Sequence, residues 1–178
     1  MKKFLVFFGV IVFMLLTVLL YLAVSYLFPY PYSKMNILFI VLLLVLVWRQ
    51  SGYVVWMSFF LHFLIELYTL TPFGVVLFSS TISILGAYWL SENVLTNRSW
   101  LSTVFLGIMT MTTYRILYLV ALLTARLFSS SVDIVWSGLA TTFAWELLFT
   151  VLGFGVAYAC CVPIFRRFPG RQHFPTEV

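Results

Sequence analysis

Six apolar runs separated by short polar or turn-forming segments constrain the fold of this chain more than any other feature. They cover about residues 4–28, 35–50, 53–70, 73–90, 100–124 and 134–165. A transmembrane helix needs about 20 mostly apolar residues, so these runs predict membrane-spanning helices. Only 8% of the residues are charged, whereas a soluble domain carries about 25%. We therefore predict an all-α polytopic membrane protein, with one domain of six transmembrane helices over residues 1–165.

The basic residues predict the orientation of these helices. Six spans place both termini on one side of the membrane, which would hold seven basic residues against two on the opposite side. The seven are Lys2, Lys3, Arg49, Arg98, Arg166, Arg167 and Arg171, and the two are Lys34 and Arg126. Since Lys and Arg accumulate on the cytoplasmic side, we expect cytoplasmic termini and a basic tail over residues 166–178 near anionic lipid. The net charge of +5 thus reflects membrane topology and does not indicate a nucleic-acid partner.

The first apolar run resembles a signal peptide in following two lysines. It is about twice as long as the apolar core of such a peptide, which usually has about 7–15 residues. We therefore interpret it as a retained transmembrane helix.

Three charged side chains, Glu66, Arg115 and Glu146, fall inside the predicted spans. An ionisable group at the centre of a membrane helix costs roughly 2.5–3.5 kcal/mol on insertion scales, so each needs compensation. With a rise of about 1.5 Å per residue, all three lie in the same half of the bilayer. We expect the forked guanidinium of Arg115 to bridge Glu66, Glu146 or both.

His62 lies one helical turn before Glu66 on the same face. The pair could relay protons or bind a metal, but a lone histidine beside a carboxylate is more often a packed hydrogen-bond donor. The sequence shows no set of metal ligands, no glycine-rich phosphate loop and no nucleophile motif, so we expect neither a cofactor nor an enzymatic activity. Three interpretations of the buried polar network of His62, Glu66, Arg115 and Glu146 stay open. It orients helices, it lines a cavity for a ligand or ion, or its residues never meet. A separate class of function is an intramembrane enzyme that uses His62 and Glu66.

Small residues recur at helical spacing in two of the runs. Ser79, Ser83 and Ala87 are four residues apart in the fourth run, and Gly155 and Ala159 are four apart in the sixth. Small side chains let membrane helices approach closely, so both sets predict helix packing. They are candidate surfaces for a partner, together with the exposed face of the first span.

The segment that joins the third run to the fourth carries a pattern of three residues. Glu66 is followed six residues later by Pro72, and then by Phe73 and Gly74. This pattern resembles the rod shape-determining MreD family of bacterial inner-membrane proteins, whose third span ends in an acidic residue before Ser-Gly residues and Pro-Leu-Gly. In this chain Glu66 stands for the usual Asp, Phe73 for the Leu, and Tyr68 to Thr71 for the Ser-Gly stretch.

The resemblance implies a non-enzymatic component of the cell-elongation machinery, which organises lateral peptidoglycan synthesis and cell shape. It also implies an MreC-like protein and cell-wall synthases as partners, and a location in the bacterial cytoplasmic membrane. The family's fold is similar to the substrate-binding subunits of energy-coupling-factor transporters. A small-molecule-binding subunit of a membrane transporter is therefore the alternative. Against it, the first span has only Ala23 where such subunits carry an Ala-x-x-x-Ala docking motif.

Overall fold

The chain folds into helices joined by short turns. The computed structural model describes residues 2–49, 51–69, 71–94, 99–128 and 136–167, and within them it contains six α-helices, one short 3-10 helix and no strand. The helices are α1 (Lys2–Leu27), α2 (Ile37–Arg49), α3 (Tyr53–Glu66), α4 (Val75–Asn93), α5 (Trp100–Phe128) and α6 (Trp136–Arg167), and the 3-10 helix is Tyr32–Lys34. The prediction of an all-helical membrane protein is confirmed at this level.

The helices fall into two classes by length. Among the described residues, α1, α4, α5 and α6 are long and apolar enough to cross a bilayer. The helices α2 and α3 are apolar too, but they have 13 and 14 residues, or about 20 Å each. A hydrocarbon layer is about 30 Å thick, so these two helices are shorter than the layer.

Several helix ends differ from those that the sequence predicts. The helix α3 ends at Glu66 rather than at residue 70, because the backbone N–H and the hydroxyl of Thr69 both bond to the Glu66 carbonyl and turn the chain. The helix α5 extends four residues past 124, so Arg126 lies in its last turn and not in a loop. Arg166 and Arg167 continue α6, whereas Arg98 and residues 168–178 lie outside the described residues.

The short helix α2 is at the centre of the bundle, since it contacts all five other helices. Its fully buried side chains include Leu38, Phe39, Leu42, Leu43 and Leu46. A helix that is apolar on every face is typical of a core position. Because little of α2 faces lipid, its length does not have to match the thickness of the bilayer.

At one end of the bundle, which we call the flush end, α2 and α5 stop at similar heights. An ideal Cβ atom on Gly107 of α5 would lie 4.0 Å from the Leu43 side chain of α2. These two helices run in opposite directions, so Arg49 at the end of α2 lies near the height of Leu101. The turn after α2 and the start of α5 therefore lie at one level.

The other end, which we call the stepped end, is uneven. Ser83 Oγ donates a 2.5 Å hydrogen bond to the Thr110 carbonyl, which sets the height of α4 against the antiparallel α5. Val76 precedes Ser83 by seven residues and so lies near the height of Leu117. From there α5 continues to Phe128, a further 11 residues or about 16 Å. The start of α4 thus lies well short of the end of α5.

Candidate functional site: a polar network inside the bundle

An ion pair joins Arg115 on α5 to Glu146 on α6, through Nη2 and Oε2. The other carboxylate oxygen of Glu146 accepts a 2.9 Å hydrogen bond from the side-chain amide of Asn36, directly before α2. The backbone N–H of Asn36 donates to Thr150 Oγ1 at 2.9 Å, and its Oδ1 accepts from the N–H of Phe39 at 3.4 Å. These bonds connect three helices, and the last of them satisfies one N–H group in the first turn of α2.

Two tyrosine rings complete the surroundings of Arg115. Its Cζ atom lies 5.6 Å from the ring centroid of Tyr114 and 5.5 Å from that of Tyr118. Within about 6 Å, an aromatic face attracts a guanidinium electrostatically. The Arg115 side chain is 13% exposed, and its Nε atom has no hydrogen-bond partner among the described residues. A carboxylate and two rings therefore compensate this buried cation together.

Glu66 has a different partner from the one that the sequence led us to expect. Its side chain is buried, and Oε1 accepts a 3.0 Å hydrogen bond from the backbone N–H of Val76, in the first turn of α4. Its other oxygen, Oε2, has no partner within the described chain. Of the two partners expected for Arg115, the structure shows Glu146, and no ion pair joins Arg115 to Glu66 in the described chain. The carboxylate instead neutralises a helix N-terminus, where unsatisfied N–H groups carry partial positive charge.

The residues of the Glu66–Pro72–Gly74 pattern act together in one turn. Gly74 directly precedes α4 and has a positive φ of 96°, a left-handed conformation that glycine adopts without a steric cost. The Pro72 carbonyl accepts from the N–H of Val75 at 3.3 Å, and the Gly74 carbonyl accepts from Phe78 at 2.9 Å. Pro72 and Gly74 shape the turn that brings the start of α4 to the Glu66 carboxylate.

His62 is fully buried but does not bond to Glu66. Its Nδ1 lies 2.9 Å from the Ser58 carbonyl and 3.3 Å from the Ser58 hydroxyl, one turn earlier on α3. Its ring meets Phe39 edge-on, with the centroids 5.4 Å apart, and its Nε2 has no partner in the described part of the chain. In that part no group of three or more His, Cys, Asp and Glu residues could hold a metal. The contacts of His62 are those of a packed hydrogen-bond donor.

The small residues of α4 pack within the chain. Ser79, Ser83 and Ala87 are all buried, and the bond from Ser83 to Thr110 lies at the close approach of α4 and α5. This stripe is therefore not a surface for a partner chain. In α6 the two small residues differ in exposure: Gly155 is buried beside Val104 of α5, whereas Ala159 is exposed.

Two residues that complete the ion-pair network, Asn36 and Thr150, were not predicted from the sequence. Asn36 directly precedes an apolar run, which is a signal for a helix cap. Thr150 lies four residues after Glu146, so the two share a face of α6. Both signals are local, but neither indicates that the two residues meet across helices.

An open apolar groove of about 380 Å³ lies between the start of α4 and the second half of α5. It is lined by residues that include Phe73, Phe78, Leu117, Val120, Ala121 and Ala125. None of the four residues of the predicted polar network lines it, so the network and the groove are separate features.

Comparison of the chain with protein-family models, with curated proteins and with solved structures finds no match.

Proposed function

We propose that this chain is an MreD-like integral membrane component of the bacterial cell-elongation machinery. In this proposal all six helices lie within the cytoplasmic membrane, both termini are cytoplasmic, and the fold is similar to the substrate-binding subunits of energy-coupling-factor transporters. The protein organises lateral peptidoglycan synthesis and cell shape through contacts with an MreC-like protein and cell-wall synthases, and it catalyses no reaction.

The observation that carries this proposal is the Glu66–Pro72–Gly74 pattern together with its local structure. The pattern is the part of the sequence that resembles the family, and its residues share one turn in which Glu66 binds the first turn of α4. The pattern thus has a structural role, which suits a protein that acts by holding a shape.

The polar contacts of the network support a scaffolding role as well. Arg115, Glu146 and Asn36 connect three helices, and Glu66 connects a fourth helix to its neighbour. Bonds of this kind hold helices in one arrangement, as a protein that presents fixed surfaces to membrane partners requires.

The test is an affinity purification of the full-length tagged chain from native membranes, with quantitative mass spectrometry. An unrelated polytopic membrane protein, carrying the same tag at the same abundance, is the matched control. We expect enrichment of an MreC-like protein and of cell-wall synthases over this control. Recovery of an ATPase with a coupling subunit, and of no wall-synthesis protein, would overturn the proposal.

The alternative, a small-molecule-binding subunit of a membrane transporter, is favoured by a separate observation. Within the polar network, three buried atoms, Glu66 Oε2, Arg115 Nε and His62 Nε2, have no hydrogen-bond partner among the described residues. Buried polar groups of this kind are candidates for ligand contacts. A ligand present at about 100 times its Kd would stabilise the folded protein by about 2.7 kcal/mol, which a thermal-shift screen of small polar metabolites detects. Glu66→Gln is the matched variant in this screen, since it should weaken such a response.

A further inference from the structure

We propose that the bilayer around this protein has a different thickness on two sides of the helix bundle. The hydrocarbon layer is thin against α3 and thicker against the outer parts of α5 and α6. The inference concerns only the stepped end of the bundle, and it does not rest on the proposed function.

The thin side is marked by α3 and the turn that follows it. One face of α3 exposes large apolar side chains, among them Trp56 and Phe60, over a helix about 21 Å long. Directly after Glu66 the chain leaves the helix, and Tyr68 is 72% exposed. Tyrosine is enriched at the membrane interface, so its position here marks the water boundary beside α3.

The thick side is marked by an apolar stripe on α5. Ile116, Val120, Leu123 and Leu127 lie on one face, and all four are exposed. The stripe runs from near the height of Glu66 almost to the end of the helix, and the exposed Thr124 beside it donates its hydroxyl hydrogen bond to the Ala121 carbonyl. An exposed Arg126 in the last turn of α5 and an exposed Trp136 at the start of α6 are typical of an interface, and they mark one about 13 Å beyond the height of Glu66.

The surface of a flat bilayer can lie at only one of these two interface positions. If its surface lay at Tyr68, Leu123 and Leu127 would project into water. If its surface lay at Arg126, the irregular backbone between α3 and α4 would lie in hydrocarbon, where lipid-exposed loops do not occur. A bilayer can instead change its local thickness around a protein at modest cost. The stepped end of the bundle therefore fits a lipid layer that thickens from α3 toward α5 and α6.

The test uses two cysteine positions, in a background in which Cys160 and Cys161 are replaced by alanine. Tyr68→Cys lies in the turn after α3, and Leu123→Cys lies on α5, about 9 Å beyond the height of Glu66. Each variant is reconstituted in lipid nanodiscs, which expose both membrane faces, and the rate of reaction with a charged maleimide is measured. Reaction in denaturing detergent is the control for intrinsic reactivity, and thermal unfolding shows that each variant is folded.

We expect Tyr68→Cys to react at least about tenfold faster than Leu123→Cys, because a charged reagent is excluded from hydrocarbon. This order is the reverse of the one expected in a flat bilayer, since Leu123 lies further out along the bundle axis than Tyr68. Leu67→Cys, a second exposed position in the turn, should behave like Tyr68→Cys if the turn itself is solvated. In nanodiscs of shorter-chain lipid, the protection of Leu123→Cys should decrease.

Equal or faster reaction of Leu123→Cys in standard lipid would show that the outer part of α5 stands in water. Protection of both positions would show a flat, thick bilayer. Either result would overturn the proposal.

Discussion

Glu66 and Val76, ten residues apart, join the end of one helix to the start of the next. Oε1 of Glu66 accepts the backbone hydrogen bond of Val76 at 3.0 Å, so the last residue of α3 serves as a cap for α4. A negative charge stabilises the N-terminus of a helix but not its C-terminus. The Glu66 carboxylate is therefore stabilised more by the N-terminus of α4 than it would be by the C-terminus of its own helix.

Replacing Glu66 by alanine should reduce the free energy of unfolding by about 1–2 kcal/mol, the usual cost of losing an N-terminal cap. Glu66→Gln should cost less, since its amide oxygen can still accept from Val76. Thermal unfolding of the purified protein in detergent measures both effects. Glu92→Ala, at the exposed far end of α4, is the control, with an expected change within about 0.5 kcal/mol. A loss for Glu66→Ala no larger than that of this control would contradict the capping role.

Arg115→Met should be the more damaging change, because it leaves the Glu146 carboxylate buried without its cation. Removal of one partner of a buried pair costs about 3–5 kcal/mol. The double variant Arg115→Met, Glu146→Leu should recover much of this loss, since neither charge is then buried. A double-mutant cycle on unfolding free energies measures the coupling. Losses that simply add would show that the ion pair does not contribute to stability.

Gly107→Ala tests how closely α5 and α6 approach. A Cβ atom at this position would lie 2.9 Å from Cδ1 of Phe154, whose ring is fully buried and cannot move aside without disturbing the core. Overpacking of this kind typically costs about 1–3 kcal/mol. Adding Phe154→Leu should relieve part of the loss.

The control for this substitution is Gly86→Ala, in the middle of α4, where a Cβ atom meets no other atom within 4 Å. Alanine stabilises a helix by up to about 1 kcal/mol relative to glycine, so this variant should be neutral or more stable. Thermal unfolding of both variants separates the two causes. If both glycines respond alike, helix propensity rather than packing determines the effect at Gly107.

Much of the fold could be predicted because hydrophobicity is a local property. Apolar runs must form helices in a bilayer, where each backbone N–H and carbonyl group needs a partner, and this holds whatever the helices contact. The turn at Gly74 could also be predicted, since proline restricts and glycine broadens the range of backbone dihedral angles at its own position. The small residues of α4 indicated close packing, although only the structure shows that Ser83 meets Thr110 inside the chain.

The partners of the buried charges could be predicted only in part. The sequence places Glu66, Arg115 and Glu146 at similar depths, and depth alone leaves both carboxylates available to the guanidinium. The choice depends on the rotation of each helix about its axis and on which helices are neighbours. These follow from the packing of the whole bundle around α2, which no local pattern contains.

The sequence by itself determined that this chain forms apolar helices and that its buried charges need compensation, since both follow from the transfer free energies of individual residues. Only the tertiary structure decided that Arg115 pairs with Glu146, that Glu66 caps α4, and that the helices end unevenly at one side of the bundle. These outcomes depend on the relative heights and rotations of the packed helices, which arise from contacts between residues far apart in the chain.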